Sequence, residues 1–194
     1  ATSGTTATIT EGFAVGAVDM ATAGAKTVEV AYEGYTVTFE INVKETAVAR
    51  FEVVGGASIK KQAGVNYIVG LQTNLTKAKF QSTYVEYENV TLTYKMTTAR
   101  YLGTGSTITV TSKITGEVIG EYVIVIYGDV DGSATITSGD TLTLGNSITG
   151  TTDSLTGAAK IAANVEGTRV QINNLDKQVI KAVVSGSMTI DQTT

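Results

Sequence analysis

The sequence predicts a mixed fold in which β-rich units come first and a small all-α unit follows. Apolar and polar residues alternate with period two in several runs before residue 127, which is typical of half-buried strands. Gly-containing turns separate those runs. From Asp129 onward, a loop rich in side-chain oxygens is followed by helical patterns, and a weaker copy of this loop-helix pattern begins at Asn164.

Composition excludes several classes of site. The 194 residues are 42% hydrophobic and 16% charged, which is a globular composition. Cys and His are absent, so thiolate and imidazole metal sites and Ser-His-Asp or Cys-His nucleophile systems are excluded. No pair of acidic residues has a setting recognisable for glycoside hydrolysis. We therefore expect no catalytic residues and no enzyme.

Charge and hydropathy also limit the partners. The net charge of −4 argues against nucleic acid, and no apolar run reaches the length that membrane insertion needs. The chain begins at Ala1 without a Met and shows no signal peptide, so it is read as part of a larger multimodular chain.

Residues 1–45 contain one clear β-hairpin. Apolar side chains alternate over 28–32 and over 35–43, and Glu33-Gly34 makes the turn. A hairpin alone is marginally stable and needs further strands. The segment TAGAKTVEVAYEGYTVTFEINV resembles the last strands of bacterial immunoglobulin-like surface domains. Either the chain begins inside such a domain, or these strands join the sheet of the next unit.

Residues 46–127 are predicted to form a second β-rich unit with a short helix over 75–80. The run from Tyr122 to Tyr127 is apolar on both faces and is expected to be a central strand. It leads into Gly128-Asp129 without a linker, which predicts a rigid junction. The predicted strands are 49–54, 65–69, 84–87, 90–96, 107–114 and 117–127.

The stretch DVDGSATITSGD, residues 129–140, has the spacing of a 12-residue calcium loop. Calcium takes about six to eight oxygen ligands, and alternate residues of such a loop turn inward to supply them. The loop departs from the usual pattern at Ala134, where Gly normally makes the turn, and at its last residue, where Glu is commoner. An acidic surface turn is the simpler alternative. The predicted ligands are the side chains of Asp129, Asp131, Ser133, Thr137 and Asp140 and the carbonyl of Thr135.

The helical signals after this loop differ in strength. Residues 141–150 have a poor composition for a helix, with an internal Gly and three Thr. Ser154 or Thr156 is a candidate cap for a short helix over 157–163. Residues 175–184 place their apolar side chains on one helical face, and Gly186 ends that pattern.

Two copies of one pattern make up residues 128–194. DVDG at 129–132 matches NVEG at 164–167, and TIT at 135–137 matches RVQ at 169–171. Loop, helix, linker helix, loop and helix in this order resemble a dockerin, the calcium-binding module that binds cohesins. The words YGDVDGSATITSGD and LTGAAKIAANV carry this resemblance. The β-rich unit before it, joined without a linker, resembles the X modules that accompany some dockerins.

The resemblance implies Ca²⁺-dependent folding and a helix face that docks on a cohesin. The fold class expected is therefore immunoglobulin-like β-sandwich modules followed by an all-α dockerin with paired EF-hand-like repeats, over 1–45, 46–127 and 128–194. The implied function is to attach a larger extracellular protein or carbohydrate-active enzyme to a scaffold or bacterial cell surface. The alternative is a calcium-stabilised stalk with no cohesin partner. The implied partner contacts are Ser138, Gly139, Ile172 and Asn173.

The second loop departs from the calcium pattern. With Val170 kept in the apolar eighth place, the loop is one residue short and has a single carboxylate, so we expect it to hold no calcium at micromolar metal. Arg169 would then supply positive charge where an ion would sit. Another register makes Asp176 the twelfth residue but loses the upstream match. In the first register the ligand places hold Asn164, Glu166, Thr168, Gln171 and Asn174.

Overall fold

A computed structural model describes residues 8–44, 47–166 and 171–193. The chain divides into two compact units, Ala1–Ala47 and Val48–Thr194. The described residues form three sheets and four short helices.

The first unit is a three-stranded antiparallel sheet in the order β1-β2-β3. Glu33 and Gly34 both have positive φ, 45° and 84°, between the paired residues Tyr32 and Tyr35. This backbone is the tight two-residue turn that matches strand twist, so the predicted hairpin is confirmed. The strands are β1 (Ala14–Val15), β2 (Gly24–Tyr32) and β3 (Tyr35–Val43).

The second unit is built on a five-stranded sheet in the order β5-β6-β10-β9-β8. The β6/β10 pair is parallel and the other neighbours are antiparallel. A separate antiparallel ribbon pairs β4 with β7. The strands are β4 (Arg50–Val53), β5 (Ser58–Gln62), β6 (Val65–Val69), β7 (Val85–Glu88), β8 (Val90–Lys95), β9 (Thr107–Ser112) and β10 (Val118–Ile124).

Strand β10 lies in the middle of this sheet, and the strand together with the residues that follow it, 125–127, contributes to a core on each face. Ile124 and Ile126 pack in one core with Phe80, whereas Val125 and Tyr127 pack in the other with Leu144. A strand covered on both faces needs apolar side chains at successive positions. The predicted central strand is confirmed.

Four helices cover the two faces. Helix α1 (Lys77–Thr83) packs on the face that also holds the β4-β7 ribbon, and α2 (Ser138–Thr149), α3 (Gly157–Ala163) and α4 (Asn174–Val184) contribute to the opposite core. Thr137 caps α2 in a reciprocal capping box with Asp140, and Gly150 ends it with φ 72°. These end signals and the burial of Leu144 override the poor helix composition of the segment.

The predicted fold class, β-sandwich modules followed by an all-α dockerin, is wrong. The helices of residues 138–184 have no core of their own, because Leu144, Ile161 and Ile180 pack in one cluster with Tyr67 of β6 and with Val125. Short helices of this size bury too little apolar area by themselves. Sheet and helices therefore form one mixed α and β unit.

Candidate metal centre

Residues 125–128 separate the end of strand β10 from the loop over residues 129–140. The amide of Gly128 donates to the carbonyl of Ala162 at 2.8 Å, and the amide of Asp129 donates to Ile126 at 3.1 Å. Gly128 has φ 95°, and a Cβ there would lie 2.8 Å from the Cδ1 atoms of Ile136 and Ile190. Backbone bonds and this close packing fix the start of the loop.

Three carboxylates of the loop converge. One oxygen each of Asp129, Asp131 and Asp140 lie within 4.8 Å of one another. Asp129 and Asp140 are fully buried, and Asp131 is exposed at the rim. Within the described part of the chain, this is the one group of three acidic side chains close enough to share an ion.

Backbone amides hold the two buried carboxylates in place. Asp129 accepts from the amide of Thr104 at 2.8 Å and from that of Ala134 at 3.1 Å. Asp140 accepts from the amides of Val130 at 2.6 Å and Thr137 at 2.7 Å. Asp140 also accepts from the amide of Asp131 at 3.1 Å. These bonds order the loop and hold both carboxylates in fixed orientations.

The other predicted ligands divide into two groups. Ser133 and Thr135 lie together, because the Ser133 hydroxyl donates to the Thr135 carbonyl at 3.2 Å. The Thr137 hydroxyl accepts from the amide of Gly139 at 3.1 Å and so caps α2. The first two remain suitable oxygen donors, whereas the third is engaged at the helix end.

Two small residues make the loop geometry possible. Ala134 has φ 69°, the left-handed conformation that Gly usually supplies at the sixth place of such loops. Gly139 has no room for a side chain, since a Cβ there would lie 2.6 Å from an oxygen of Asp131. Gly139 was predicted as a partner contact. In the structure, its lack of a side chain leaves space for the Asp131 carboxylate.

The segment from Gly103 to Gly105 supports the loop from the neighbouring sheet. A Cβ on Gly103 would lie 2.8 Å from the amide nitrogen of Ala134. The Thr104 amide donates to Asp129, and the Thr104 hydroxyl both donates to the carbonyl and accepts from the amide of Ile126. No local signal in the sequence links this segment to a carboxylate 25 residues away.

Burial makes negative charge costly at this site. It raises the pKa of Asp129 to about 6; the Thr104 hydrogen bond opposes this effect, and the charge of Asp140 adds to it. Burial also raises the pKa of Asp140, against the hydrogen bond from Thr137. The ion pairs among the described residues join Lys26 to Asp19 and Arg50 to two glutamates, so none neutralises this cluster.

The donor set fits a hard divalent cation. Carboxylate, hydroxyl and carbonyl oxygens are the ligands that calcium prefers, and the chain offers neither thiolate nor imidazole. Asp129, Asp131 and Asp140 would supply the charge, and Ser133 and Thr135 would complete the protein side of the shell. A bound cation would offset the repulsion between the carboxylates.

The second loop has the same backbone hydrogen bonds to its final carboxylate as the first loop, but this final residue is not the Asn174 of the first register. Asp176 is fully buried and accepts from the amides of Val165, Glu166 and Asn173, each at 2.8 Å. Asp140 accepts in the same way from the amides of Val130, Asp131 and Thr137. Asp176, rather than Asn174, therefore stands where Asp140 stands in the first loop.

Both sequence registers are partly present in this loop. The second loop, residues 164–176, is one residue longer than the first. It therefore has both the Asn164-Val165-Glu166 match at its start and Asp176 at its end. Asn174 is the first residue of α4 and is exposed, as is Gln171. Thr168 and Arg169 lie outside the described residues.

The predicted partner contacts lie at two helix starts. Ser138 is the exposed first residue of α2. Asn173 caps α4 by accepting from the Leu175 amide at 2.7 Å, and Ile172 packs against the helix-side core. Ser138 is thus available to a partner, whereas Asn173 and Ile172 already have structural contacts.

Comparisons with known proteins assign no family. No family model, curated protein or solved structure matches the chain. Within the described residues, every helix is too short or too polar to cross a membrane. The dockerin resemblance stays a prediction.

Proposed function

We propose that this chain is a non-catalytic, calcium-stabilised protein-binding module that docks on a cohesin through α2 and α4. Its role would be to attach a larger extracellular protein, such as a carbohydrate-active enzyme, to a scaffold or cell surface. The observation that carries the proposal is the convergence of Asp129, Asp131 and Asp140 within 4.8 Å at the start of α2.

Calcium would act in this proposal as a folding ligand. The loop connects the central strand to α2, and Asp140 belongs to both the carboxylate cluster and the capping box of that helix. An ion bound only in the folded state adds its binding free energy to stability. Metal binding would therefore hold α2 in its position on the sheet.

The arrangement of the two repeats supports a docking role. Helices α2 and α4 pack against each other, and both begin with a capping box whose acidic member is buried. Leu142 and Val184 remain 64% and 41% exposed and line one groove between these helices. Exposed apolar side chains on a rigid helix pair are typical of partner-binding faces.

Calorimetric calcium titration combined with a binding assay tests this proposal. The full chain should bind calcium, and an immobilised panel of recombinant cohesins should retain it in calcium and lose it in chelator. Asp129→Ala should abolish both effects, because it removes a buried member of the cluster. Asp153→Ala, which changes an exposed acidic residue between α2 and α3, is the matched control and should leave both unchanged.

One observation favours a stalk as the second candidate function. The helices share their core with the central sheet through Val125 and Tyr127, which gives a stiff unit suited to spacing other domains. A stalk would gain thermal stability from calcium and bind no cohesin in the panel. The same two measurements therefore separate the candidates.

A further inference from the structure

Helices α2 and α4 enclose a surface groove of about 490 Å³, here named the α2–α4 groove. The first turns of α2 line it together with residues spread along α4, from Lys177 to Val184. Its lining includes Ser138, Thr141, Leu142, Lys177, Lys181 and Val184.

The apolar side chains that line the α2–α4 groove are not part of the hydrophobic core. Leu142 and Val184 are 64% and 41% exposed, whereas Leu144 and Ile180 of the same helices are fully buried. The helices thus have inward residues that hold them on the sheet and separate outward residues that face water. An outward apolar floor between two helices fits an inserted apolar side chain.

The charged residues that line the α2–α4 groove are both lysines. Lys177 and Lys181 line it, and neither forms an ion pair among the described residues. The acidic residues of α2 and α4 are Asp140 and Asp176, both fully buried in capping boxes. A chain of net charge −4 therefore presents a locally cationic surface here.

Gly145 allows Lys177 to reach this surface. A Cβ on Gly145 would lie 2.7 Å from the Lys177 ammonium, so the lysine side chain passes closely over α2. The missing side chain on α2 lets the ammonium lie against both helices.

We propose that the α2–α4 groove recognises a partner surface in which an apolar anchor is flanked by carboxylates. The inference rests on the proposed docking function and specifies its partner as a cohesin with an acidic rim around its apolar patch. The apolar anchor would contact Leu142 and Val184, and the acidic rim would pair with Lys177 and Lys181. Charge complementarity of this kind governs association rate and partner choice.

The test measures binding of the full chain, in calcium, to recombinant cohesins whose docking faces range from acidic to basic. Affinity and association rate are recorded at low and high salt. We expect binding to acidic members and an association rate that falls as salt increases. Lys177→Glu with Lys181→Glu should lower affinity at low salt by about tenfold or more.

The matched control is Lys60→Glu with Lys113→Glu, two lysines remote in sequence from the α2–α4 groove that give the same change in net charge. It should leave affinity within about twofold, as expected when distant charges are screened. Circular dichroism melting is used to check that both double variants fold. Leu142→Ser, which removes the exposed apolar contact, should weaken binding at both salt concentrations.

Two results would overturn different parts of the account. Binding that ignores salt, prefers basic cohesins or survives Lys177→Glu with Lys181→Glu overturns the acidic-partner inference and leaves the docking function standing. Failure of every cohesin to bind the calcium-loaded chain overturns the docking function and this inference with it.

Discussion

At the scale of single residues, Asp140 and Asp176 make the same backbone contacts in two different settings. Each is buried, closes a capping box and accepts amide hydrogen bonds from the start of its loop. Only Asp140 belongs to the group of three carboxylates found among the described residues. Comparing variants of Asp140 and Asp176 therefore separates the effect of losing these backbone contacts from the effect of losing an ion ligand.

We expect Asp140→Ala and Asp176→Ala each to lower the free energy of unfolding in chelator by about 1–3 kcal/mol, because each loses the acidic member of a capping box and leaves amides unpaired. Calcium should raise the melting temperature of Asp176→Ala but not that of Asp140→Ala. Chemical denaturation and thermal melting with calcium or chelator measure this difference. Equal calcium responses in the two variants would contradict the assignment.

Gly139 offers a second test at this scale. An added Cβ would meet the Asp131 carboxylate at 2.6 Å and displace it. We expect Gly139→Ala to weaken calcium binding by about tenfold or more, a size usual for disturbed ligand positioning. Titration calorimetry of this variant beside Ser138→Ala, which changes the exposed neighbouring residue, checks the prediction. Unchanged affinity for Gly139→Ala would show that the space at Gly139 does not determine calcium binding.

At the scale of elements, the segment after α4 returns to the start of the loop over residues 129–140. The Gln192 side chain accepts from the amide of Tyr127 and donates to its carbonyl, both at 2.8 Å. Ile190 packs against Gly128. A contact over 65 residues of sequence thus connects this segment to the junction of sheet and loop.

We expect Gln192→Ala to lower the free energy of unfolding by about 1–3 kcal/mol, because the two hydrogen bonds are lost and the Tyr127 amide loses a partner. Gln178→Ala on the exposed face of α4 is the control and should change it by less than about 0.5 kcal/mol. Denaturant unfolding in calcium measures both. Equal stability of the two variants would show that Gln192 does not hold this segment in place.

The sequence predicted elements with strong local patterns and missed those that tertiary contacts determine. The hairpin at Glu33-Gly34, the central strand and the helix over 174–184 follow from alternation, apolar runs and periodicity. Strand β5 (Ser58–Gln62) was missed because it is an edge strand exposed along its length, with two lysines and no alternating pattern. The composition of residues 141–150 is unfavourable for helix α2, because helix propensities do not include its capping box or its packing on the sheet.

At the scale of the whole molecule, the predicted division into sandwich and all-α parts failed because it treated repeats as an independent domain. Helices as short as α3 and α4 need an apolar partner, and β6 and the central strand provide it. The cluster of Asp129, Asp131 and Asp140 was readable from spacing alone. The contact of Thr104 with Asp129 and the choice between the two registers of the second loop depend on backbone positions that only the folded chain reveals.

The most direct measurement is isothermal titration of the full chain with calcium, together with thermal melting in calcium and in chelator. We expect one calcium per chain, a higher melting temperature in calcium, and loss of both effects in Asp129→Ala. No heat of binding and a melting temperature indifferent to calcium and chelator would contradict it.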